Sequence, residues 1–148
     1  MPVIAINKQG LREYEVLETI QAGIVLSGPE VKSTKAGNVS LRGSYVDIKG
    51  NGVYLINCHI ASYKTAKGQQ VGYVPTHTRK LLLRNKQILE LQDKKKAYGA
   101  TIIPQSVETK GSLVKVMIAL ARGLGKRDKR LKIKKKEVER EMRRALKQ

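Results

Sequence analysis

Short apolar runs broken by glycine turns fill the first three-quarters of the chain, and they restrict the fold more than any other feature. The runs Ser44–Lys49 and Val53–Ile60 flank Gly50-Asn51-Gly52, which is a tight hairpin signal. Strands joined by turns this short pair antiparallel, because a parallel pair needs a long crossover. The sequence therefore predicts a mainly β fold with antiparallel pairing.

Further runs extend the same pattern. Thr101–Val107 and Leu113–Ala121 predict a last strand pair that turns at Lys110-Gly111, with Val114, Val116 and Ile118 on one face and Leu113, Lys115 and Met117 on the other. Glu13–Leu26 predicts a long strand, and Gly23 within it indicates a bend or bulge. With about five or six strands, a small closed or nearly closed barrel removes exposed edges. An open α+β sheet is the alternative.

Two small helices interrupt the strands. Pro29 near the start and Gly37 after the end mark a short helix between them. Asn85 is a suitable N-cap for a second helix that runs through Ala97 and stops at Gly99. In that helix the spacing predicts one buried side, formed by Ile88, Leu89 and Leu91.

The character of the chain changes at Gly123-Leu124-Gly125. Residues 126–148 hold 12 basic and four acidic side chains and few apolar ones, too few to fold alone. The end is nevertheless patterned, since Val138, Met142, Ala145 and Leu146 fall at helical spacing. We expect a barrel domain over residues 1–122 and a basic tail over 123–148 that is disordered when free and helical when bound.

Charge defines the class of partner. The 148 residues carry a formal net charge of +18, which points to polyanions such as nucleic acid or an anionic membrane face. No uncharged run is long enough to span a bilayer, and the apolar start lacks the basic residues of a signal peptide. Cys58 is the single cysteine and forms no internal disulfide, which fits a reducing cytoplasm.

Enzyme signatures are weak. His59 and His77 are the two histidines, and Cys58 and His59 are neighbours on a strand, so their side chains should point to opposite faces. That placement argues against a shared metal or a thiol–imidazole pair. Phosphate-loop, HExxH and CxxC motifs are absent from the sequence. We therefore expect no catalysis, no metal site, no cofactor and no small-molecule substrate.

Basic residues beside the predicted elements are better candidates for function. Lys32 and Lys35 share the first short helix, and Arg79-Lys80 precedes a strand, where cations can neutralise phosphates. Glu30 is a carboxylate among these lysines, and two interpretations stay open for it. It caps the helix through the dipole, or it accepts a hydrogen bond from a base amino group.

Several strings resemble, in order and spacing, the SsrA-binding protein family (small protein B). Asn7 and Tyr14 sit where the N-terminal pattern of that family places them. The other strings are Gly28-Pro29-Glu30-Val31-Lys32-Ser33, Lys35-Ala36-Gly37, Ser44-Tyr45, His59-Ile60 with Tyr63, Arg79-Lys80-Leu81-Leu82-Leu83, Val114-Lys115-Val116, Ala121-Arg122-Gly123 and Asp128-Lys129-Arg130. The family's usual lysine and asparagine are replaced by Asn38 and Ser40, so no role is carried over to these two positions.

The resemblance implies an OB-type barrel that binds the tRNA-like domain of transfer-messenger RNA and brings it to stalled ribosomes for trans-translation. There the barrel would occupy the decoding centre, and the tail the mRNA channel lined by small-subunit rRNA. By the resemblance, the RNA-binding residues are Asn7, Glu30, Lys32, Ser33, Arg79 and Lys80. By the same resemblance, the residues that contact the ribosome are Asp128, Lys129, Arg130, Ile133, Lys134 and Glu137. Lys115 and Arg122 lie between the two sets and stay unassigned.

Two other classes of function remain as alternatives. A structural ribosome-associated protein could use the same barrel and tail as a scaffold, and it would be present on all ribosomes at constant stoichiometry. A nuclease would need carboxylates that the body of the chain largely lacks.

Overall fold

The computed structural model describes residues 3–63, 72–124 and 126–147, with the side chains of 126–129, 131–132 and 147 left out. The described elements are, in chain order, β1 (Val3–Ile6), α1 (Lys8–Glu13), β2 (Tyr14–Ile24), α2 (Gly28–Lys35), β3 (Val39–Ser40), β4 (Tyr45–Lys49), β5 (Gly52–Ile56), β6 (His59–Ile60), β7 (Arg79–Leu82), α3 (Asn85–Tyr98), β8 (Thr101–Lys110), β9 (Leu113–Gly123) and α4 (Lys126–Lys147).

The main sheet closes on itself. Its strands follow the order β1-β8-β4-β5-β7-β2-β9, and β9 also pairs with β8, so six strands form a ring to which β1 is added along β8. Every pairing is antiparallel. The predicted mainly β fold with an antiparallel barrel is confirmed, and the open-sheet alternative is not the observed arrangement.

The core lies inside the ring and follows the predicted alternation. Val114, Val116 and Ile118 of β9 point inward and are buried. They pack with buried residues of the other strands, among them Leu55 and Ile102. Leu113 lies on the other face and is exposed. This alternation leaves the outer surface of the barrel for the helices and for polar contacts.

Gly23 marks a change of partner rather than a bulge. It pairs with Lys115 of β9 on one side and with Leu82 of β7 on the other. A Cβ atom at this position would lie 3.2 Å from Cβ of Leu82, so glycine permits the close approach. The bulge in β2 falls earlier, between Val16 and Glu18. The predicted bend is therefore observed as a strand junction.

α3 differs from its prediction in two respects. Its N-cap is Arg84 rather than Asn85, and Gln87 accepts a hydrogen bond from the Arg84 backbone N–H. Ile88 and Leu91 are buried, but Leu89 is 60% exposed. The prediction for Leu89 is wrong because a short helix on a barrel turns only one narrow face inward, and residue 89 lies beside that face.

α4 continues the chain beyond the barrel as a helix. The backbone N–H of Leu124 donates to the carbonyl of Glu13, which fastens the start of the tail beside α1. The predicted helical spacing at the end of the tail is confirmed, since Val138, Met142, Ala145 and Leu146 all lie within α4. All four residues are exposed. The predicted change from a disordered to a helical tail, and the division at residues 122 and 123, stay predictions. No described helix is both long and apolar enough to cross a bilayer.

We predict opposite outcomes for two leucine truncations. Leu55→Ala removes a side chain with 0% exposure and should lower the free energy of unfolding by about 2–5 kcal/mol. Leu89→Ala, on the exposed face of α3, should change it by no more than about 0.5 kcal/mol. Urea denaturation followed by circular dichroism measures both. An equal loss for the two variants would contradict this assignment of the core.

Candidate nucleic-acid interface

Glu30 is fixed at the first turn of α2. Its backbone N–H donates to Oγ of Ser27, and its Oε1 accepts from the Ser27 backbone N–H at 3.0 Å. This reciprocal capping box satisfies two donors at the start of the helix, and Pro29 pre-organises the same turn. The capping interpretation of Glu30 is therefore confirmed. Its side chain is only 5% exposed, which places the carboxylate below the surface.

Arg79, at the start of β7, is the buried partner of Glu30. Its Nε donates to Oε2 of Glu30 at 2.7 Å, and the residue is 1% exposed. The remaining guanidinium donors reach the carbonyls of Cys58, Pro75 and His77 and the hydroxyl of Tyr73. All five N–H groups of this arginine have acceptors, so the buried charge is both paired and hydrogen-bonded, as burial demands.

His77 and Tyr73 complete the cluster around the carboxylate. Nε2 of His77 lies 2.9 Å from Oε2 of Glu30, and Nδ1 lies 3.1 Å from the carbonyl oxygen of Thr78. The Tyr73 hydroxyl accepts from Arg79, and it has two acceptors within reach of its own proton, the carbonyl of Ile60 at 2.8 Å and Oε2 of Glu30 at 3.1 Å. Tyr73, His77 and Arg79 are thereby held against α2, although 43 to 49 positions separate them from Glu30.

These contacts determine the protonation of the cluster. Burial alone would raise the pKa of Glu30, but the hydrogen bonds from Ser27, Arg79 and His77 outweigh it and lower the pKa to about 2. Burial raises the pKa of the Tyr73 hydroxyl, and the nearby Glu30 charge adds to that rise. Burial likewise raises the pKa of the Cys58 thiol to about 11, so the thiol stays neutral and unreactive.

Asn7 and Ser33 are also buried and hydrogen-bonded. Asn7 caps α1, with Oδ1 accepting from the Gly10 N–H at 3.0 Å, and its Nδ2 donates to the carbonyl of Pro104 at 2.8 Å. The backbone N–H of Asn7 donates to the carbonyl of Gln105, at a bulge that interrupts the β8–β9 ladder. Oγ of Ser33, in α2, donates to the carbonyl of Ala61 at 2.6 Å.

Lys32 and Lys80 are the predicted RNA-binding residues whose side chains reach the surface. Lys32 projects from α2, with Nζ 5.8 Å from the ring centroid of Tyr63. Lys80 is exposed on β7 and follows the buried Arg79, as strand alternation requires. The structure thus buries Asn7, Glu30, Ser33 and Arg79, whereas Lys32 and Lys80 are exposed.

The predicted ribosome-side residues lie on α4. Arg130, Ile133, Lys134 and Glu137 are exposed, and Ile133 is 44% exposed although it is apolar. Asp128 and Lys129 fall outside the residues whose side chains are described. Nothing in the described part of the chain groups three or more metal-ligating side chains.

Sequence reasoning did not identify the cluster itself. No motif singles out Tyr73, and His77 stands out in the sequence only as one of two histidines. Their approach to Glu30 arises from the return of residues 72–78 to the barrel, and no local spacing encodes it. The strand alternation did separate Cys58 from His59, since the first is buried and the second exposed.

Comparison with known proteins gives consistent matches. A family model described as SmpB protein matches residues 4–148. An SsrA-binding protein from Sulfurihydrogenibium sp. is 45% identical over 145 residues, covering 98% of this chain and 94% of that protein. One from Streptococcus suis is 42% identical, covering 98% and 92%. A solved structure described as "tmRNA-SmpB: a journey to the center of the bacterial ribosome" is similar with a TM-score of 0.67 and 37% identity, covering 85% of this chain and 87% of that one.

We predict that Glu30→Gln destabilises the barrel in a pH-dependent manner. Removing one charge from a buried pair should cost about 3 kcal/mol of unfolding free energy at pH 7. Because the folded pKa of Glu30 lies below its ordinary value of 4.5, its contribution is complete above that pH. The difference from wild type should shrink as the pH falls towards 2.

Urea denaturation at several pH values measures this difference. Glu18→Gln is the matched control, because Glu18 pairs with Lys94 at 2.8 Å but is 45% exposed. That substitution should cost about 1 kcal/mol or less. A Glu30→Gln loss that is equally small, or that stays constant at low pH, would count against the buried pair.

Proposed function

This chain belongs to the SmpB protein family, and we propose from that membership and from its surface that it binds the tRNA-like domain of transfer-messenger RNA. It delivers this RNA to stalled ribosomes, where trans-translation tags the unfinished protein for degradation. The relatives that it matches bear the name SsrA-binding protein, and the similar solved structure concerns tmRNA and SmpB in the bacterial ribosome.

The observation that carries the proposal is that two exposed lysines, Lys32 on α2 and Lys80 on β7, stand on elements joined by a buried ion pair. Lys32 and Lys80 project from elements that the Glu30–Arg79 pair joins directly. The backbone that carries each lysine is thereby fixed, so the two cations reach a folded RNA from defined points of the barrel. Lysines at fixed positions neutralise phosphates and place the protein in one register on the RNA.

Glu30, Ser33 and Arg79 then serve as positioning residues for these lysines, and Asn7 serves as one for α1. Each forms a buried hydrogen bond that joins segments distant in sequence. The effect of Glu30, Ser33 and Arg79 on RNA binding would pass through the placement of α2 and of residues 72–80, and the effect of Asn7 through the placement of α1 on β8. Direct contact falls to Lys32 and Lys80.

We assign ribosome binding to α4. Its Lys and Arg side chains suit an rRNA-lined channel, and the exposed Ile133 and Val138 provide apolar contacts there. Arg130, Lys134 and Glu137 belong to the same assignment, as do Asp128 and Lys129. The barrel over residues 1–122 and the tail over 123–148 would divide RNA capture from ribosome entry.

Binding rather than catalysis is the activity proposed, in the cytoplasm, without cofactor or membrane. The family is one of RNA-binding proteins and not a family of enzymes. The buried, neutral thiol of Cys58 offers no nucleophile.

We predict separate effects for the exposed lysines and for a distant one. Lys32→Ala and Lys80→Ala should each weaken binding to the tRNA-like domain and reduce the dependence of log affinity on log salt by about 1. Lys96→Ala, on the exposed side of α3, should leave both values unchanged. Gel-shift competition against unrelated tRNA and duplex RNA at near-physiological salt provides the measurement. If duplex RNA competes equally, the proposed specific recognition is wrong.

We predict that deletion from Asp128 onward separates two functions. RNA binding should persist, because the deleted residues lie beyond the barrel and its basic surface. Tagging of stalled chains should be lost, because the tail would no longer enter the ribosome. A tagging assay on a stop-codon-free message, with gel shift as the control, compares the variant with the full chain. Tagging that survived the deletion would contradict this division.

A further inference from the structure

Two clefts flank α1, away from Lys32 and Lys80. The first has a volume of about 340 Å³ and is lined by Tyr14 and Tyr45 together with Gln9, Glu13 and Thr101. Its size falls within the range of roughly 300–1,000 Å³ that is common for small-ligand sites. Tyr45 is 43% exposed, so an aromatic ring is available to an entering group. The amide of Gln9 and the carboxylate of Glu13 also line this cleft; Nε2 of Gln9 donates to Oε1 of Glu13 at 3.4 Å, which leaves the second carboxylate oxygen and the amide oxygen for a ligand.

The second cleft is cationic. Its volume is about 500 Å³, and Lys8, Arg12 and Arg42 line it. Asn7, Gln9 and Glu13 line both clefts, so the two adjoin along α1. A cleft with two tyrosines therefore lies directly beside one with three basic side chains.

These chemistries match the two parts of a nucleotide. Aromatic side chains stack on unpaired bases, and amide or carboxylate groups bond to the exposed base edge. Basic side chains neutralise the adjoining phosphates. We propose that the paired clefts bind a single unpaired nucleotide of an RNA, with the base at Tyr14 and Tyr45 and the flanking phosphate at Lys8, Arg12 and Arg42. This inference rests on the proposed RNA-binding function and adds a second contact site to it.

The wall between the clefts is rigid enough for such a site. α1 is fastened to β8 by the buried Asn7, through the carbonyls of Pro104 and Gln105. A Cβ atom on Gly10 would lie 2.5 Å from Nδ2 of Asn7 and 3.0 Å from Cδ1 of Ile103, so α1 sits tightly on the barrel. The site is thus formed before any ligand enters, which reduces the entropy cost of binding.

The experiment measures binding of the full chain to a five-nucleotide single-stranded RNA that carries 2-aminopurine at its centre. The chain contains no Trp, so emission of this base is read without indole background. Stacking on tyrosine should quench the emission. Tyr45→Ala should weaken binding by about fivefold or more, given the usual contribution of a base–aromatic stack. Tyr45→Phe keeps the ring and should bind like wild type.

A parallel variant tests the phosphate half of the proposal. Arg42→Ala should weaken binding and lower the salt dependence, with the quenching at saturation retained. Thermal unfolding shows whether Tyr45→Ala is folded, and Tyr45→Leu, which keeps apolar bulk without a π face, provides a second loss of stacking. Wild-type affinity in both ring-deleted variants, or equal binding of a duplex of the same length, would overturn the inference.

Ultraviolet cross-linking identifies the source of the nucleotide. The peptide that contains Tyr45 is recovered once from a complex with transfer-messenger RNA alone and once from a ribosome complex, and the attached RNA is sequenced. A cross-link in either complex supports the site and identifies the RNA that it binds. The absence of a cross-link in both complexes overturns the inference. If the wild-type chain binds the tRNA-like domain and Tyr45→Ala binds the 2-aminopurine RNA as tightly as wild type does, this site is rejected. The proposed function is then unaffected. Failure of the wild-type chain to bind that domain would reject the proposed function itself.

Discussion

The buried ion pair between Glu30 and Arg79 is the interaction on which the arrangement of the basic surface depends. A charge in a barrel wall is costly unless its partner and its remaining hydrogen-bonding groups are all supplied. Here the carboxylate receives hydrogen bonds from Ser27 and Arg79, and the guanidinium reaches acceptors on several segments. Separating α2 from the start of β7 would leave a buried charge without its partner. The ion pair therefore holds these two elements together.

This pair also explains why a basic protein keeps a carboxylate among its lysines. Glu30 contributes little to the electrostatic field outside, because its charge is compensated by Arg79 at 2.7 Å and is removed from solvent. The carboxylate of Glu30 therefore offsets little of the positive charge of Lys32 and Lys35. Lys35 additionally donates to the carbonyl of Gly111, which links α2 to the β8–β9 turn. The chain thus uses one buried charge pair to orient several exposed charges.

Much of the barrel could be predicted because its signals are local. The turn at Lys110-Gly111 and the alternation of Val114, Val116 and Ile118 specify both the hairpin and its inward face. The exposure of Leu89 could not be predicted in the same way. Which face of a helix is buried depends on the surface against which the helix packs, and the helical spacing alone does not specify that surface. The resemblance and the position of Arg79 before a strand both point to an RNA contact, and neither predicts its burial. Its burial depends on Glu30, 49 residues away, and a single sequence does not reveal that pairing.

The long pairing of β2 with β9 has a consequence for how the molecule is made. Tyr14 lies opposite Gly123 in this ladder, so the ring closes only between strands from opposite ends of the barrel sequence. Such non-local contacts are slow to form, because the entropy cost of closing a large loop comes before the contact contributes any stabilisation. During synthesis the early strands must wait, unpaired along one edge, until β9 leaves the ribosome. The basic tail is translated after β9, so the barrel can close only when synthesis of the whole chain is nearly complete.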